Sequence, residues 1–210
     1  MRKNHVFDAR EADADVLVVG SGLAGLAAAI EAAEFGKKVI VLEKMSYYGG
    51  NSNIAGGGYA CWDSKLKLRQ KLLLGEDSWQ LHKEDTLRGG GYYNLPDLVE
   101  LLAKDAPSGL DWLVDAGVAF KEVLARIGCH SAYRAYQSAM SGKEIINCVK
   151  EQAVQKGVEI FLNTKVTGII RQKAQGRVIG LDITKDGQES QLYARRAVIL
   201  ASGGFSRDLA

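Results

Sequence analysis

A chain of 210 residues, with 47% hydrophobic and 25% charged residues, is long enough to bury a core of its own. The net charge of +2 is too small to indicate binding to nucleic acid or to an anionic membrane surface. Residues 1–14 are charged and lack an apolar segment, and no apolar run approaches the roughly 20 residues of a membrane-spanning helix. We therefore expect a cytoplasmic protein without a membrane span and without a nucleic-acid partner.

The three cysteines, Cys61, Cys129 and Cys148, form no CxxC or CxxCH motif and lack the spacing of a metal-ligand set. An odd number of cysteines without framework spacing is typical of a reducing compartment. The sequence therefore predicts no metal site. It also contains no haem or iron–sulfur motif, so it leaves the electron donor of any redox reaction open.

The first predicted elements form a β-α-β unit. A β-branched apolar run at 15–20 ends in glycine and predicts a buried parallel strand. An alanine- and leucine-rich helix is predicted at 23–35, with Gly36 in the position of a C-terminal capping glycine. A second buried strand is predicted at 38–43. Together they span about 30 residues, the size of a mononucleotide-binding half.

Helical patterns dominate the middle of the chain, and strand patterns follow. Helices are predicted at 78–88 with Ser78 as N-cap, from 95 to 117 with an interruption at Pro107, and at 143–156. The segment 65–74 is amphipathic and basic; a solvated helical face is favoured, and a helix that binds a partner or a membrane surface is the alternative. Residues 119–141 are predicted to be irregular. Strands are predicted at 158–162, 165–171, 178–184, 191–195 and 197–201, with a hairpin turn at Asp186-Gly187.

These elements predict an α/β fold with a Rossmann-like parallel sheet, as in FAD- and NAD(P)-binding proteins. A helical insertion is expected at about 60–155. An antiparallel β-meander is expected at 158–195, returning to the sheet through 197–201. We divide the chain into an N-terminal extension, 1–14, and one domain, 15–208.

The segment Gly20-Ser-Gly22-Leu-Ala-Gly25 matches G-x-G-x-x-G, and its context gives it weight. It follows a predicted strand and opens a predicted helix, and Glu43 ends the next strand. Gly20 permits the tight turn, Gly22 lets the backbone approach a pyrophosphate, and Gly25 lets the helix pack close to the strand. The first helical residues, Leu23 and Ala24, offer N–H groups to the phosphates, and Glu43 accepts hydrogen bonds from the ribose.

The alternative interpretation of this motif is a tight β-α turn that binds nothing, and the motif alone does not separate FAD from NAD. Two further glycine clusters favour FAD. Residues 49–58 are rich in glycine, follow the ribose-binding strand and contain Asn51 and Ser52, which can bind phosphate or ribityl oxygens. Gly203-Gly204 follows an apolar strand whose carboxyl end faces the ligand crevice. Three clusters at three strand ends indicate one long ligand.

Several blocks resemble the flavoprotein subunits of fumarate reductase and succinate dehydrogenase, and in particular the soluble flavocytochrome c and urocanate reductase branch. The resembling segments, in chain order, are 15–25, 41–44, 49–58, Asp85-Thr-Leu-Arg-Gly-Gly-Gly91 and Ala197-Val-Ile-Leu-Ala-Ser-Gly-Gly-Phe205.

The resemblance implies FAD bound without a covalent link, because Asn51 or Ser52 stands where membrane-bound relatives carry the attaching histidine. It implies a pyrophosphate contact at the glycine turn, an adenosine ribose contact at Glu43 and Lys44, and an adenine contact at the backbone of Val166. The residues expected to bind the cofactor are Gly20, Gly22, Leu23, Ala24, Gly25, Glu43, Lys44, Gly50, Asn51, Ser52, Gly57, Gly58, Val166, Ala201, Ser202 and Gly203.

The resemblance also implies what this chain lacks. It implies full-length relatives of about twice this size. In them a capping substrate domain, with the proton-donating arginine, and a final FAD-binding segment follow the last block. We therefore assign no catalytic residue here. His130 and Arg134 lie in a block similar to the family's Gly-x-Ser-x-x-Arg-x-His stretch, but Tyr136 stands where many relatives have histidine, and we interpret His130 as structural.

The function expected from these residues is the FAD-binding part of an oxidoreductase that reduces an activated alkene, such as fumarate, by hydride transfer from flavin N5. The substrate is expected to reach the flavin through the missing cap domain. A stand-alone FAD- or nucleotide-binding module is the alternative, and an NAD-dependent dehydrogenase is a weaker one. Because apolar surface normally covered by the cap would be exposed, self-association is also expected.

Overall fold

The computed structural model describes residues 11–204, and the chain divides into two compact units. Unit 1 contains residues up to 53 and from 149 onward, and unit 2 contains 54–148. Most of the predicted N-terminal extension and the end of the predicted domain, 205–208, lie outside the described residues. The elements in chain order are β1 (Ala14–Val19), α1 (Leu23–Glu34), β2 (Val39–Leu42), α2 (Gly50–Ile54), β3 (Gly58–Ala60), α3 (Leu68–Lys71), α4 (Trp79–Gly89), α5 (Pro96–Asp115), β4 (Phe120–Ala125), β5 (Ala135–Ser138), α6 (Gly142–Gln155), β6 (Glu159–Phe161), β7 (Thr164–Arg171), β8 (Val178–Lys185) and β9 (Gln188–Leu200).

Unit 1 is built on a six-stranded sheet with the order β6-β2-β1-β9-β8-β7. The strands β6, β2, β1 and β9 pair in parallel, whereas β9, β8 and β7 pair antiparallel. The predicted β-α-β unit, the parallel sheet and the Asp186-Gly187 hairpin are confirmed. The assignment of the strand at 158–162 to the meander was wrong, because β6 extends the parallel sheet beside β2.

The strand β9 is continuous, and the two strands predicted at 191–195 and 197–201 are one. Its first half pairs with β8 and its second half with β1, so a single strand joins the meander to the parallel sheet. Arg195 and Arg196 interrupt the apolar pattern, and for this reason the sequence predicted two strands instead of one. Both lie near Asp15 in ion pairs with N···O distances of 3.0 and 3.7 Å.

The core of unit 1 lies between the parallel strands and the meander. Leu17, Ile40 and Leu42 on the parallel strands cluster with Leu181 and Ile183 on β8. Because side chains alternate along a strand, the buried Val16, Val18, Val39 and Val41 point to the opposite face. The helix α1 packs against β1 and β2 and buries Leu26, Ala29 and Ile30. Unit 1 therefore stacks a helix, a parallel sheet and a meander.

Unit 2 contains helices and a three-stranded antiparallel sheet, β3-β5-β4. The core beneath this sheet is formed by Cys61, Leu68, Ala106, Leu110, Leu124 and Tyr136. The prediction that 119–141 is irregular was wrong, since β4 and β5 lie there. Only Leu124 of β4 is buried and a register shift separates it from Phe120, so the sequence shows no alternation.

The basic segment predicted at 65–74 contains only one helical turn, α3. Two of its lysines are paired with acids: Lys65 with Asp115, and Lys67 with Asp63 at 3.1 Å. The predicted N-cap of α4 is confirmed, because the Ser78 hydroxyl accepts a hydrogen bond from the Leu81 N–H at 3.2 Å. Lys65 and Lys67 fit the solvated face expected from the sequence, but Arg69 does not: it is 8% exposed and pairs with the buried carboxylate of Asp77 at 3.2 Å.

Pro107 does not interrupt the helix: α5 runs through it to Asp115. A proline inside a helix leaves the carbonyl four residues earlier without its usual N–H donor. That carbonyl belongs to Ala103, and it accepts a hydrogen bond from the Trp62 indole N–H at 2.8 Å. The adjacent Ala106 carbonyl accepts one from the Tyr59 hydroxyl at 3.1 Å. Side chains from another segment therefore satisfy the helix where proline weakens it.

Replacing Trp62 with phenylalanine is expected to lower the free energy of unfolding by about 1–3 kcal/mol, because it leaves the buried Ala103 carbonyl unsatisfied. In a Pro107→Ala background the loss should be smaller, since the backbone N–H restored by that substitution can reach the same carbonyl. Urea denaturation of the four proteins measures both effects. An equal loss in the two backgrounds would show that only packing of the indole matters.

Candidate functional site

The candidate site lies in unit 1, where three neighbouring parallel strands end. The register pairs Val19 of β1 with Leu42 of β2 and with Leu200 of β9. The residues that follow these strands therefore emerge at the same edge of the sheet: the glycine turn, Glu43, and the segment 201–203. This edge is the place where doubly wound α/β sheets bind ligands.

The glycine turn has no room for side chains at two of its three glycines. Gly20 has a φ of +100°, and a Cβ there would lie 2.5 Å from the Ala201 carbonyl oxygen. A Cβ at Gly25 would lie 1.9 Å from the Gly20 carbonyl oxygen. Around Gly22, in contrast, the nearest atom to a Cβ is the Ser52 Oγ at 3.7 Å. Protein packing therefore requires Gly20 and Gly25, whereas Gly22 leaves space beside the backbone for a ligand.

Glu43 is buried, at 6% exposure, and its carboxylate faces the glycine turn. Its Oε2 accepts hydrogen bonds from the Ser21 N–H at 3.1 Å and from the Ser21 hydroxyl at 2.6 Å. Its Oε1 accepts one from the Met45 N–H at 2.9 Å. A carboxylate has about four acceptor positions, so Oε1 retains capacity for one further donor. The sequence prediction named Glu43 but missed Ser21, which the motif treats as a variable position.

The second glycine segment reaches the same turn. The Gly49 N–H donates to the Ser21 hydroxyl at 3.0 Å, and the Leu23 N–H donates to the Ser52 hydroxyl at 3.2 Å. Since Leu23 is the first residue of α1, Ser52 satisfies one of the N–H groups that a helix leaves unpaired at its N-terminus. This segment was predicted as a loop, but Gly50–Ile54 forms the short helix α2.

The other predicted site residues are distributed as follows. Ala24, Lys44, Asn51, Ser202 and Gly203 are exposed, and Gly50 and Ala201 are half-buried. Val166 lies on the edge strand β7, opposite Ile183 of β8, and the start of that strand is tied to the site through the Thr164 N–H, which donates to the Glu43 carbonyl at 2.8 Å. Gly57 and Gly58 belong to unit 2, where the Gly57 carbonyl accepts from the Ser138 N–H at 3.0 Å and Gly58 begins β3.

A separate charged cluster lies inside unit 2. Arg134, with 0% exposure, donates two hydrogen bonds to the Asp77 carboxylate at 2.8 and 2.9 Å, and its Nη1 forms an ion pair with Asp85 Oδ2 at 3.0 Å. Asp85 Oδ2 also accepts hydrogen bonds from the Ser131 N–H and hydroxyl. Burial raises the pKa of Asp85. The hydrogen bonds from Ser131 and the charge of Arg134 lower it by more, so the pKa of Asp85 lies below its usual range. Arg134 thus ties two acids of unit 2 together.

Two histidines border this cluster. The rings of His82 and His130 meet edge to face with centroids 5.8 Å apart, and within the described residues neither Nδ1 has a hydrogen-bond partner. Burial lowers the pKa of His82 to about 4, and the neighbouring Arg134 and His130 add to the effect. Burial and Arg134 also lower the pKa of His130. Both histidines are therefore neutral at pH 7.

This fold and this site define a dinucleotide-binding protein: a glycine turn opens a helix at the carboxyl edge of parallel strands, and an acid ends the neighbouring strand. Residues 15–210 match the family model described as the FAD binding domain, and the chain belongs to that family. The predicted α/β class is confirmed. Space beside Gly22, the N-terminus of α1 and the remaining acceptor capacity of Glu43 fit the ADP half of FAD.

The relatives confirm the resemblance to fumarate and urocanate reductases. The urocanate reductase of Eggerthella lenta is 35% identical over 94% of this chain and 32% of its own length. The acrylate reductase flavoprotein subunit of Shewanella woodyi is 35% identical over 94% and 40%, and the fumarate reductase (cytochrome) of Shewanella frigidimarina 33% over 92% and 34%. The chain spans about a third of the length of these relatives, so the expected ratio of two was too small.

Solved structures show the same fold. The open conformation of a flavocytochrome c3 fumarate reductase superposes with a TM-score of 0.85 at 30% identity, over 94% of this chain and 35% of that one. A 3-ketosteroid-Δ4-(5α)-dehydrogenase from Rhodococcus jostii superposes with a TM-score of 0.81 at 27% identity, over 93% and 47%. Among residues 11–204, no helix is long and apolar enough to cross a bilayer, and no group of three potential ligands is placed to hold a metal ion.

Gly22 and Gly25, two of the three glycines of the turn, provide a matched pair of substitutions. Gly25→Ala should strongly destabilise the protein, by about 1–3 kcal/mol or more, because its Cβ has no room. Gly22→Ala should leave stability nearly unchanged and weaken FAD binding, because its methyl group enters the space left for the ligand. Thermal unfolding without FAD, together with FAD titration, separates the effects. Wild-type affinity in Gly22→Ala would contradict the assignment.

The pKa of His82 predicts a dependence of stability on pH. The unfolded chain takes up a proton on this residue below about pH 6.5, whereas the folded protein does so only near pH 4. The folded state should therefore lose stability as the pH falls from 6.5 towards 4, by at most about 1.4 kcal/mol per pH unit from this group. In His82→Gln the urea midpoint should decline less steeply over that range. Parallel pH profiles of the two proteins would contradict this prediction.

Proposed function

We propose that this chain supplies the FAD-binding part of a fumarate reductase-like flavoprotein that reduces an activated alkene. The observation that carries the proposal is the chemistry shared by its relatives. Urocanate, acrylate and fumarate, named for three relatives, are all α,β-unsaturated carboxylates. Bound FAD would supply a hydride from its N5 to the carbon–carbon double bond. Fumarate or a similar acid is therefore the proposed substrate class.

The residues of this chain would hold and orient the cofactor. The N–H groups at the start of α1 would donate to the pyrophosphate, where the helix dipole favours negative charge. The expected contact at Leu23 is the exception, because its N–H already donates to the Ser52 hydroxyl. Gly22 leaves the space for that approach, and Glu43 would accept a hydrogen bond from the adenosine ribose. Asn51 and Ser52 would bind oxygens further along the extended ligand. Lys44 would contact the adenosine ribose, and the backbone of Val166 would contact the adenine. The other residues that the sequence analysis expects to bind the cofactor keep that expected role.

We propose that FAD binds without a covalent link. No histidine occurs between His5 and His82, so the second glycine segment contains none. Its polar side chains at positions 51–53 are amides and a hydroxyl, which hydrogen-bond rather than attach the flavin. Binding would then depend on the glycine turn, on Glu43 and on the fit of the second segment.

The catalytic step would require groups outside this chain. We propose no catalytic residue among the 210, and a capping domain would deliver both the substrate and the proton. The electron donor would be another protein or domain, because this sequence carries no haem or iron–sulfur motif. A cytoplasmic location remains our proposal for the compartment.

The purified chain should be yellow and should release intact FAD into the supernatant after acid precipitation, with the protein keeping its unmodified mass. Absorbance and mass spectrometry of both fractions measure this. Flavin in the precipitate would overturn non-covalent binding, and NAD in the supernatant would overturn the cofactor assignment. Glu43→Gln, a nearly isosteric variant, should retain less FAD than wild type.

The reaction is tested on two proteins. Photoreduced flavin in the 210-residue chain should not be reoxidised by fumarate, acrylate or urocanate under anaerobic conditions, because the proton donor is missing. If the gene continues past codon 210, the longer protein should oxidise the same flavin with at least one of these acids. A stop codon at that position, together with bound but unreactive FAD, would instead favour a stand-alone binding module.

Self-association is a further proposal, and unit 2 offers the surface for it. Leu98, Leu101 and Leu102 on α5 are each more than half exposed, and they line a groove of about 960 Å³ with Tyr59 and Ala60 on β3. Contiguous exposed leucines of this kind commonly lie at contacts between proteins. Sedimentation of the purified chain at several concentrations measures the association.

A further inference from the structure

We infer that Ser21 is a positioning residue that holds the Glu43 carboxylate for the adenosine ribose and thereby sets the preference of the site for ligands with ribose hydroxyls. The inference rests on the proposed binding of FAD at this turn. Ser21 occupies a variable position of the glycine motif, so the motif itself gives it no role. Its contacts in the structure do.

The single proton of the Ser21 hydroxyl has one direction available. The Gly49 N–H donates to the Ser21 Oγ at 3.0 Å, which uses a lone pair and fixes the orientation of the hydroxyl. The Oγ lies 2.6 Å from Glu43 Oε2, the short distance of a hydrogen bond to an ionised acceptor. The proton therefore points at the carboxylate. The Ser21 N–H donates to the same oxygen at 3.1 Å, so Ser21 provides two hydrogen bonds to Oε2.

Because the site is buried, the hydrogen bonds from Ser21 determine the orientation of the Glu43 carboxylate. Ser21 has 0% exposure and Glu43 has 6%, so water contributes little to holding the carboxylate. A buried carboxylate requires protein donors, and three are present: two from Ser21 and one from the Met45 N–H. With Oε2 saturated, Oε1 is the oxygen left to accept a ribose hydroxyl. Ser21 thus decides which carboxylate oxygen faces the ligand.

Removing the hydroxyl is expected to loosen the carboxylate without removing the turn. In Ser21→Ala the backbone N–H and the small buried side chain are retained, so the fold should persist. Glu43 then loses its shortest hydrogen bond, and its Oε1 is no longer held in one direction. The expected loss falls on the interaction with ribose hydroxyls, because a positioned acceptor is worth more than a free one.

The test compares two ligands on the full chain by isothermal titration: ADP and 2′,3′-dideoxy-ADP, which lacks both ribose hydroxyls. Wild type should prefer ADP by about tenfold, the value of a hydrogen bond to a charged group. In Ser21→Ala the ratio of the affinity for ADP to that for 2′,3′-dideoxy-ADP should fall towards one, mainly because ADP binds more weakly. In a Glu43→Gln background, Ser21→Ala should cause no further change. Ser78→Ala, which removes the N-cap hydroxyl of α4, serves as the matched control and should keep the wild-type preference.

Each outcome decides the matter. If Ser21→Ala weakens both ligands equally, Ser21 is structural and the inference fails, although the proposed function stands. If the preference rises, the hydroxyl competes with the ribose for Glu43, and the inference also fails. If wild type binds neither ADP nor FAD, the proposed function itself is overturned. A preference that falls in Ser21→Ala, but neither in Ser78→Ala nor further in the Glu43→Gln background, supports the positioning role.

Discussion

The arrangement of the site depends on one steric constraint, the close approach of α1 to the end of β1. The Gly20 carbonyl oxygen occupies the place where a Cβ at Gly25 would lie. The Ala201 carbonyl oxygen leaves no room for a Cβ at Gly20. Only glycine at both positions lets the helix start directly above the sheet edge. That closeness directs the first N–H groups of α1 at the edge where β1, β2 and β9 end, and every other feature of the site is arranged around them.

Hydrogen bonds to Ser21 connect what the glycine turn brings together. Its hydroxyl and N–H hold Glu43 from the neighbouring strand, and the Gly49 N–H holds the hydroxyl in turn. Ser52, from the segment that follows Gly49, occupies the first N–H of α1. The turn, the acid and the second glycine segment therefore form one connected network within unit 1. In a low-dielectric interior such networks hold their members in a single arrangement.

Local patterns predicted the β-α-β unit, the helices α4 and α6 and the hairpin before β9, because each depends on residues close in sequence. The errors have a different physical origin. Trp62 donates to the Ala103 carbonyl, which Pro107 leaves without a donor, from 41 residues away, and no helix rule includes such a partner. The exposed side chains of β4 hide its strand pattern. Ser21 was missed for the same reason as Trp62, since its partner Glu43 is 22 residues distant.

The strand β9 belongs both to the parallel sheet and to the meander, and this affects the order in which unit 1 can fold. The register joins Val16 near one end of the chain to Ala197 near the other, and β9 separates β1 from β8 in the sheet. During synthesis β1 and β2 can pair early, but β9, which lies between β1 and β8 in the sheet, is made only after β7 and β8. Contacts of such high sequence separation close slowly, and the edge of β1 stays unpaired until then. The chain is therefore expected to be most prone to aggregation while β9 has not yet emerged to pair with that edge of β1.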